Sequence, residues 1–414
     1  MWEYVGLKIL HINTSLGRGG TAVAVVNISK SITRLGHDSL VLNSETKPNA
    51  ESKHLWIGGN KIRHWLNVLS YRCFGQEGFF NHGLWLHWLE SIKDYDVIHL
   101  HNVHGYYMPM EVLEKILSRP CVWTLHDFWI ATGGPGTPLD SESEKSPLTR
   151  IFPKANFEYP VEWWDRSAAR KRKLQELIRV YRPAVVSPSN CSKEIVGQLG
   201  CYIDNFKVIP HGIYDASEKL DAKSRIKARD ELGLPSNVHV FIFVSANVDN
   251  QDKGFDIFLR ALERLPSPHK WVAIVAGDHY FKSLSMMKEA RLSNIYFIGR
   301  KSNKEIRNYF RGCDTYVTPT LSESYGLTVV EALAEGAKVV CTDLPVLREI
   351  TVGKALFFEK RNINVLRDIL AARIESTVDP ENIQNSNEIR ARYSMENMGK
   401  AYLNLYNEVI SRKT

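Results

Sequence analysis

Two glutamates in the second half of the chain are spaced so that both could contact one bound molecule. Glu323 and Glu331 are eight residues apart, and apolar residues recur at helical spacing after Gly326, which predicts a helix that begins there. Such a helix start directs unpaired N–H groups at an anion, and carboxylates accept hydrogen bonds from vicinal hydroxyls. The spacing indicates a site for an anion that carries hydroxyl groups. A capping acid followed by a solvated helix acid would give the same pattern, so both interpretations stay open.

Other residues could neutralise the negative charge of such a ligand. Lys253 supplies a point charge, and the loop with Gly19 and Gly20 offers backbone donors, as does the helix start at Gly326. Together these groups can replace a divalent metal. The nearest approach to an Asp-x-Asp metal motif is 140–142, within a stretch without periodicity, so we expect no metal.

Four histidines lie at or near the ends of predicted strands. His99 and His101 share a strand face, His104 lies just beyond them, and His126 ends a later strand before Asp127. A lone histidine at a strand end is usually structural, and three histidines together also suggest zinc. No carboxylate or cysteine lies near those three in sequence. We therefore expect His101, His104 and Asp127 to bind an acceptor substrate.

Strand and helix patterns alternate through the first half of the chain, as in a parallel sheet with crossover helices. Strands are predicted at 7–12, 39–42, 96–100, 121–125 and 184–187, and helices at 21–35, 110–118 and 163–181. Residues 131–160 interrupt this alternation with Gly, Pro, Ser and acidic residues. Long loops inside a domain are usually functional.

The pattern restarts near residues 208–212. Five further strands are predicted at 238–245, 271–277, 295–298, 315–318 and 338–341. The sequence thus predicts an α/β protein with two doubly wound, Rossmann-like domains, 1–212 and 213–394, facing each other across a cleft. The helical pattern of 395–414 could pack back on the first domain. Because parallel sheets bind ligands at the carboxyl ends of their strands, we expect the active site in that cleft.

Composition excludes several classes of protein. Of 414 residues, 44% are hydrophobic and 24% charged, as in soluble globular chains and unlike disordered, collagenous or coiled-coil ones. No apolar run approaches the ~18–20 residues of a membrane helix. Six scattered cysteines without a CxxC pair indicate free thiols in a reducing compartment. The first eight residues lack a secretion signal, so we expect the protein in the cytoplasm.

The basic excess is spread along the chain. Residues 1–212 hold 24 Lys and Arg against 20 Asp and Glu, and the remainder holds 29 against 26. This is too diffuse for nucleic acid but suits phosphates or an anionic membrane surface. An aromatic and basic region, extended by the charge run 170–173, contains Trp56, Trp65, Trp85, Trp88, Ile62, Leu66, Leu69, Lys61, Arg63 and Arg72. It is typical of a peripheral helix on the inner membrane face or of a packed helix with a solvated face.

The sequence resembles glycosyltransferase family 4 along nearly its whole length. The Glu-x7-Glu segment from Glu323 to Glu331 follows Val-Thr-Pro-Thr and contains Ser-Tyr-Gly-Leu. Further similar segments are Gly19-Gly20-Thr21, Trp123-Thr124-Leu125-His126-Asp127, Ser187-Pro188-Ser189, Val208-Ile209-Pro210-His211-Gly212, Lys253-Gly254-Phe255-Asp256 and Phe297-Ile298-Gly299. The stretches 99–107 and 126–129 are most similar to the bacterial colanic-acid, O-antigen and exopolysaccharide branch.

The resemblance implies a GT-B fold and a retaining transfer of a hexose from a nucleotide diphosphate sugar to a lipid-linked (polyprenyl) oligosaccharide or surface polysaccharide. It implies that Glu323 holds hydroxyls of the donor sugar, that Glu331 holds the ribose, and that His126 contacts the donor sugar and phosphate. Catalysis is thereby assigned to His126, Lys253 and Glu323, and donor binding to Gly19, Gly20, Asn247, Lys253, Ser324, Tyr325, Gly326, Leu327 and Glu331. No positioned nucleophile is evident for the far face of the sugar, and the resemblance implies a front-face substitution in which a donor phosphate oxygen takes the acceptor's proton. No cofactor is expected.

One position departs from the family pattern. The family usually has an arginine six residues before the lysine that corresponds to Lys253, and in this sequence that position is Asn247. A phosphate contact would then be weaker or come from Arg300 or Lys301, which leaves open a non-catalytic glycosyltransferase-like subunit. A nucleotide-sugar 2-epimerase, which has a similar diphosphate site, is another alternative. A dehydrogenase is disfavoured because no GxGxxG motif opens either sheet.

Overall fold

The computed structural model describes residues 6–17, 19–45, 54–134, 136, 163–213, 220–290, 292–376 and 381–412. Contacts between residues divide the chain into two units. The first consists of Met1–Gly212 together with Met395–Thr414, and the second of Ile213–Ser394. Each unit is built on one parallel sheet flanked by helices, which confirms the prediction of two doubly wound α/β domains.

The first unit contains a seven-stranded sheet of order β3-β2-β1-β4-β5-β6-β7. Its strands are Lys8–Asn13 (β1), Asp38–Asn43 (β2), His54–Trp56 (β3), Val97–Leu100 (β4), Cys121–Thr124 (β5), Ala184–Ser187 (β6) and Phe206–Val208 (β7). The strand order reverses between β1 and β4, and the carboxyl ends of strands at such a reversal form the usual ligand crevice of this architecture. Strands β4, β5 and β6 are buried along their whole length, as expected where helices cover both faces of a parallel sheet.

Helices of the first unit cover this sheet. They are Gly19–Arg34, Lys61–Phe74, His82–Ser91, Met110–Leu117, Trp129–Thr132, Ser167–Tyr181, Asn190–Gln198 and Met395–Ser411, with short 3-10 helices at Phe79–Asn81 and Ile92–Asp94. The last helix buries Met398, Tyr402 and Tyr406 in one core cluster with Ile9 of β1 and Val97 of β4. The apolar spacing seen in the sequence therefore faces the first sheet.

The second unit contains a six-stranded sheet of order β10-β9-β8-β11-β12-β13. Its strands are His239–Asn247 (β8), Trp271–Asp278 (β9), Ile295–Gly299 (β10), Thr315–Thr318 (β11), Lys338–Thr342 (β12) and Ala355–Phe358 (β13). Its helices are Ala222–Glu231, Phe255–Leu262, Phe281–Ala290, Asn303–Gly312, Leu327–Ala334, Pro345–Thr351, Ile363–Ile374 and Glu381–Arg392, with 3-10 helices at Gln251–Lys253 and Pro268–Lys270. The order reverses between β8 and β11, so the residues after these strands lie at the expected ligand edge.

Several sequence-based boundaries were wrong. The short strands β3, β7 and β13 were not predicted, and the helix expected from Trp163 begins at Ser167. The loop predicted at 131–160 overlaps the end of the helix Trp129–Thr132, and the rest of that loop, from 137 onward with the acidic triplet 140–142, lies outside the described residues. All six cysteines are free thiols. Among the helices that are described, none has the length and apolar character needed to cross a bilayer.

Candidate functional site

A lysine and a glutamate meet at the ligand edge of the second sheet. The Nζ of Lys253 donates a hydrogen bond to Oε1 of Glu323 over 2.6 Å. Both side chains are partly accessible, at 33% and 18% exposure. A cation and an anion are thus presented side by side, and either one is able to exchange its partner for a phosphate or a hydroxyl group of a ligand.

Loop packing explains why these two distant residues meet. Lys253 ends a short 3-10 turn after β8, and Gly254 follows it in the left-handed region at φ 72°. A Cβ on Gly254 would lie 2.2 Å from the carbonyl oxygen of Pro319, so only glycine allows this close approach. The carbonyl of Asp252 accepts hydrogen bonds from the backbone N–H of Leu321 (2.7 Å) and the hydroxyl of Thr320 (3.0 Å). These contacts hold the loop after β8 against the loop that carries Glu323.

The helix predicted after Gly326 is present as Leu327–Ala334, and Gly326 caps it at φ 97°. A Cβ on Gly326 would lie 2.8 Å from Leu347, so a side chain there would meet the neighbouring helix. Ser324 and Leu327 are half-buried and Tyr325 is buried. The helix therefore begins directly after the loop that bears Glu323, with the first-turn N–H groups at the same edge of the sheet.

Glu331 is buried inside this helix. It is 7% exposed, and Nη2 of Arg307 lies 3.9 Å from its Oε1. Burial raises the pKa of Glu331 to about 7, an effect that Arg307 opposes and the nearby Glu335 reinforces. The interpretation of Glu331 as a solvated helix acid is thus wrong. A buried carboxyl group with a raised pKa is typical of functional sites.

The residues expected to bind the diphosphate differ in their surroundings. Asn247 ends β8, and its Oδ1 accepts a hydrogen bond from the N–H of Asp249 over 3.0 Å, so this side chain closes a turn. Arg300 lies 3.6 Å from Asp278 and Lys301 lies 3.8 Å from Glu305. The two basic residues suggested as substitutes for the missing arginine are therefore each paired with an acid of the second unit.

In the first unit, Gly19 and Gly20 open the helix Gly19–Arg34 and are exposed. Gly19 has a φ of 79°, and a Cβ added there would meet no atom within 4 Å. Backbone conformation rather than crowding thus favours glycine at this position. The N–H groups of the helix start follow the carboxyl end of β1.

A histidine and an aspartate form a pair at the ligand edge of the first sheet. Nε2 of His104 lies 2.8 Å from Oδ2 of Asp127, and the ring of His104 stacks on Trp129 at 5.1 Å between centroids. Burial alone would lower the pKa of His104, but the charge and hydrogen bond of Asp127 raise it, and the pKa of Asp127 is lowered in return. His101, His104, His126 and Asp127 line one small cavity. The structure thus brings together the residues predicted to bind the acceptor.

Buried histidines extend from this cavity into the sheet. Nε2 of His126 lies 2.9 Å from Nδ1 of His101, and Nε2 of His101 lies 3.0 Å from Nδ1 of His11. The ring of His211 stacks on His126 at 5.2 Å between centroids. Sequence reasoning missed His11 and His211 as partners of these residues, although both follow the pattern of a histidine at or near the carboxyl end of a strand.

A further histidine, His99, packs against His11 and His101, but its hydrogen bonds are to other residues. Its Nδ1 lies 2.7 Å from the hydroxyl of Tyr406, and its Nε2 lies 2.7 Å from that of Thr124. Among the described residues, His11, His99 and His101 have ligand atoms within 4.8 Å of one another. Every one of their six ring nitrogens lies within hydrogen-bonding distance of a protein group, so a metal there would have to break these contacts.

The same hydrogen bonds bear on the acceptor assignment of His101. His101 is 1% exposed, and both of its nitrogens are engaged by other histidines. Its ring lines the cavity without a nitrogen left for a bound molecule. His126 is 8% exposed, and its Nδ1 has no hydrogen-bond partner within the described part of the chain. Burial lowers the pKa of His126 to about 4, although Asp127 opposes this effect.

The aromatic and basic region of the first unit has two sides. The helix Lys61–Phe74 buries Asn67, Val68, Ser70 and Tyr71. Its solvent face carries Ile62, Trp65, Leu66 and Leu69, which are 39–73% exposed and follow helical spacing. In contrast, Trp85 is fully buried and donates to the carbonyl of Tyr107. Arg170, which was expected in a solvated charge run, is 5% exposed and lies over the ring of Tyr71.

Comparison with known families gives two matches that together span most of the chain. A model described as "Glycosyltransferase Family 4" matches residues 18–216. A model described as "Glycosyl transferases group 1" matches residues 224–389.

Individual relatives support the same relationship. The chain is 24% identical over 430 residues to WcaC of Escherichia coli (strain K12), a glycosyl transferase named for colanic acid biosynthesis, covering 97% of this chain and 99% of WcaC. It is 31% identical over 191 residues to the lipopolysaccharide core biosynthesis mannosyltransferase LpsB of Rhizobium meliloti (strain 1021), covering 44% of this chain and 52% of LpsB. The chain thus spans about half the length of LpsB and of several other relatives that it matches.

Solved structures confirm the fold. HepE of Anabaena, crystallised with UDP and glucose, has a TM-score of 0.67 at 18% identity, covering 97% of this chain and all of HepE. WaaG, a glycosyltransferase involved in lipopolysaccharide biosynthesis, has a TM-score of 0.67 at 15% identity, covering 96% of this chain and 99% of WaaG. The fold is GT-B, as the sequence predicted. The chain therefore carries a glycosyltransferase family 4 domain followed by a group 1 glycosyl transferase domain.

Proposed function

We propose that the protein is a glycosyltransferase of lipopolysaccharide or polysaccharide biosynthesis that transfers a hexose from a nucleotide diphosphate sugar. The observation that carries this proposal is the pair formed by Lys253 and Glu323, 2.6 Å apart, directly before a helix that contains the buried acid Glu331. A cation, an accessible carboxylate and a helix start at one sheet edge match the three chemical parts of such a donor.

The proposed donor contacts follow from charge and position. Lys253 and the N–H groups after Gly326 would hold the diphosphate and neutralise the charge that builds on it as the sugar leaves. Glu323 would accept hydrogen bonds from the sugar hydroxyls, and Glu331 from the ribose. Binding of the diphosphate draws Lys253 away from Glu323, which frees that carboxylate for the sugar.

The transfer step is proposed to retain the anomeric configuration and to need no metal. The glycosidic bond to the β-phosphate breaks, the acceptor oxygen bonds to the same face of the sugar, and a phosphate oxygen of the leaving group takes the acceptor's proton. His126 would donate to or accept from the donor through Nδ1, and the pair of His104 and Asp127 would hold an acceptor hydroxyl. The acceptor proposed is a growing glycan, carried on a polyprenyl lipid or on a surface polysaccharide.

Membrane contact at the inner face is part of this proposal. The exposed stripe of Ile62, Trp65, Leu66 and Leu69 is more apolar than the buried face of the same helix, and Lys61 is exposed beside it. An apolar stripe with neighbouring basic groups suits the headgroup boundary of an anionic bilayer. The protein would then bind its lipid-linked acceptor at the membrane surface.

The experiment that tests the donor is a thermal-shift panel of UDP, GDP, ADP and CMP sugars. A ligand that binds only the folded state increases the free energy of unfolding by about RT ln(1 + [L]/Kd), and Tm rises as a result. We expect one nucleotide series to raise Tm, with the gain lost in Lys253→Met. If no nucleotide sugar raises Tm at millimolar concentration, the proposal fails. Turnover of the donor to its epimer without acceptor would identify an epimerase instead.

A further inference from the structure

Three histidines and a serine of the first unit form one continuous hydrogen-bonded chain. Nε2 of His11 lies 3.1 Å from Oγ of Ser39. Nδ1 of His11 lies 3.0 Å from Nε2 of His101, and Nδ1 of His101 lies 2.9 Å from Nε2 of His126. Both nitrogens of the two inner rings are therefore used, and Nδ1 of His126 is the outer end.

The rings in this chain are neutral at physiological pH. His11 and His101 are at most 1% exposed. Burial lowers the pKa of His11 to about 3 and that of His126 to about 4, and burial together with the neighbouring histidines lowers that of His101 well below its usual value. A neutral imidazole has one N–H and one bare nitrogen. Each contact in the chain therefore needs one of each.

Only two proton arrangements satisfy every contact. In the first, all three rings carry the proton on Nδ1, Ser39 donates to His11, and the outer nitrogen of His126 is a donor. In the second, all three carry it on Nε2, His11 donates to Ser39, and the outer nitrogen of His126 is an acceptor. A mixed arrangement would set two N–H groups or two bare nitrogens against each other across about 3 Å.

We propose that Ser39, His11 and His101 are positioning residues that couple the tautomer of His126 to their own proton arrangement, so that all three rings carry the proton on the same nitrogen. This assignment rests on the proposed donor contact of His126 for its consequence in the reaction. The chosen arrangement decides whether His126 offers an N–H to a phosphate oxygen or a lone pair to a sugar hydroxyl. A change from one arrangement to the other takes up one proton at one end and releases one at the other, so charge is conserved.

Neighbouring groups leave this chain separate from the rest of the core. His99 uses its nitrogens for Tyr406 and Thr124, and His211 contacts His126 by stacking. Ser39 is half-buried on β2, and its Oγ lies 2.9 Å from Oγ of Ser29, also half-buried. The Ser39 end of this hydrogen-bonded chain thus lies next to the helix Gly19–Arg34 and is only half-buried.

The test is a two-bond 1H–15N correlation spectrum of the whole chain labelled with [15N]histidine, with peaks assigned by single His→Gln variants. We expect His11, His101 and His126 to be neutral and to carry the proton on the same nitrogen. Ser39→Ala removes the terminal hydroxyl. Because a buried N–H without an acceptor is costlier than a bare nitrogen without a donor, all three rings are then expected to carry the proton on Nδ1.

Two further variants make this test decisive. Ser39→Val repeats the loss of the hydroxyl while its methyl groups occupy the place of a substituting water, and it should give the same spectrum as Ser39→Ala. Ser44→Ala, directly after the same strand, removes a hydroxyl whose one hydrogen bond among the described residues is to the carbonyl of Thr14, and it should leave the wild-type pattern. Mixed tautomers in the wild type, or an Nε2 proton on His126 in folded Ser39→Val, would overturn the inference.

The spectrum also separates this inference from the proposed function. Shared tautomers in a protein without transferase activity would support the chain and reject the function. Transferase activity with mixed tautomers would do the reverse. Nitrogen shifts typical of metal-bound imidazole, abolished by a chelator, would also overturn the chain because its hydrogen bonds need the same nitrogens.

Discussion

Lys253 donates a hydrogen bond to Glu323 over 2.6 Å, although 70 residues separate them in the chain. Each follows a strand beside the reversal of the second sheet, β8 in one case and β11 in the other. The contact depends on Gly254, which allows the two loops to touch. A pair held in this way is preorganised, so a ligand changes its partners without rebuilding the loops.

Removal of the Lys253 charge should strongly impair transfer. We expect Lys253→Met to lower kcat by about 10²–10³-fold, the usual cost of losing one group that stabilises developing charge. The readout is the rate of nucleotide release, measured with the nucleotide sugar that raises Tm in the thermal-shift panel. Lys301→Met removes a lysine that is paired with Glu305 and should change kcat less than twofold. Equal losses in both variants would contradict the assignment.

The two glutamates of the motif should affect different kinetic constants. Glu323→Ala should lower kcat most, because its proposed contacts are with the reacting sugar. Glu331→Ala should chiefly raise the apparent donor KM, because its proposed partner is the ribose. Both are measured by steady-state kinetics at varied donor concentration, and negligible changes in both variants would refute the two roles.

Glu331 should make stability pH-dependent. Its pKa is raised by burial to about 7, so between about pH 4.5 and 7 the folded state holds a proton that the unfolded chain has released. Stability therefore falls as pH rises through this window. We expect wild type to lose about 3 kcal/mol relative to Glu331→Gln between pH 5 and 8, measured by urea unfolding. The control Glu263→Gln, at an exposed position, should leave the dependence of the free energy of unfolding on pH as it is in the wild type. If the curves of unfolding free energy against pH for Glu331→Gln and wild type were parallel, the pKa shift of Glu331 would be disproved.

Asp127 should control the charge of His104. The carboxylate accepts its hydrogen bond at 2.8 Å and raises the pKa of His104 against the effect of burial. Asp127→Asn removes that charge, so the pKa of His104 should fall below its wild-type value. An NMR titration of the histidine ring protons measures the shift. An unchanged pKa of His104 would mean that Asp127 does not set its protonation.

The exposed stripe should bind anionic vesicles. Trp65 is 60% exposed, and burying such a ring in a bilayer interface contributes roughly 2 kcal/mol. Trp65→Ser should therefore weaken co-sedimentation with phosphatidylglycerol vesicles at least tenfold, and binding should fall with added salt. Tyr202→Ser removes an aromatic ring that is 86% exposed elsewhere on the same unit and serves as the control. An equal effect of both variants, or no binding by wild type, would exclude this surface.

Part of the fold and site could be predicted from the sequence because the signals are local. Apolar runs identified most of the longer strands, and the motif from Glu323 to Glu331 identified the helix start at Gly326. The strands β3 and β7 were missed because three residues carry too little periodicity. The strand β13 was also missed, although its four residues are apolar and it is as long as β4, β5 and β6. Glu331 was left between two interpretations since its burial depends on packing against other helices.

The histidine chain could not be predicted for a different reason. His11 and His101 are 90 residues apart, and their contact requires β1 and β4 to be neighbours in the sheet. Strand order is a long-range property that a single sequence does not state. The sequence did indicate histidines at strand ends, but not which of them share a hydrogen bond.

The helix Met395–Ser411 belongs to the first unit but is synthesised after the second, so the first unit completes its core only late in synthesis. Tyr402 and Tyr406 complete the core around β4 and β5 through hydrogen bonds to Thr124 and His99, yet they leave the ribosome after the entire second unit. At 5–20 residues per second, that interval lasts on the order of ten seconds or more. Throughout it, the nascent first sheet exposes an apolar face that chaperones are able to bind.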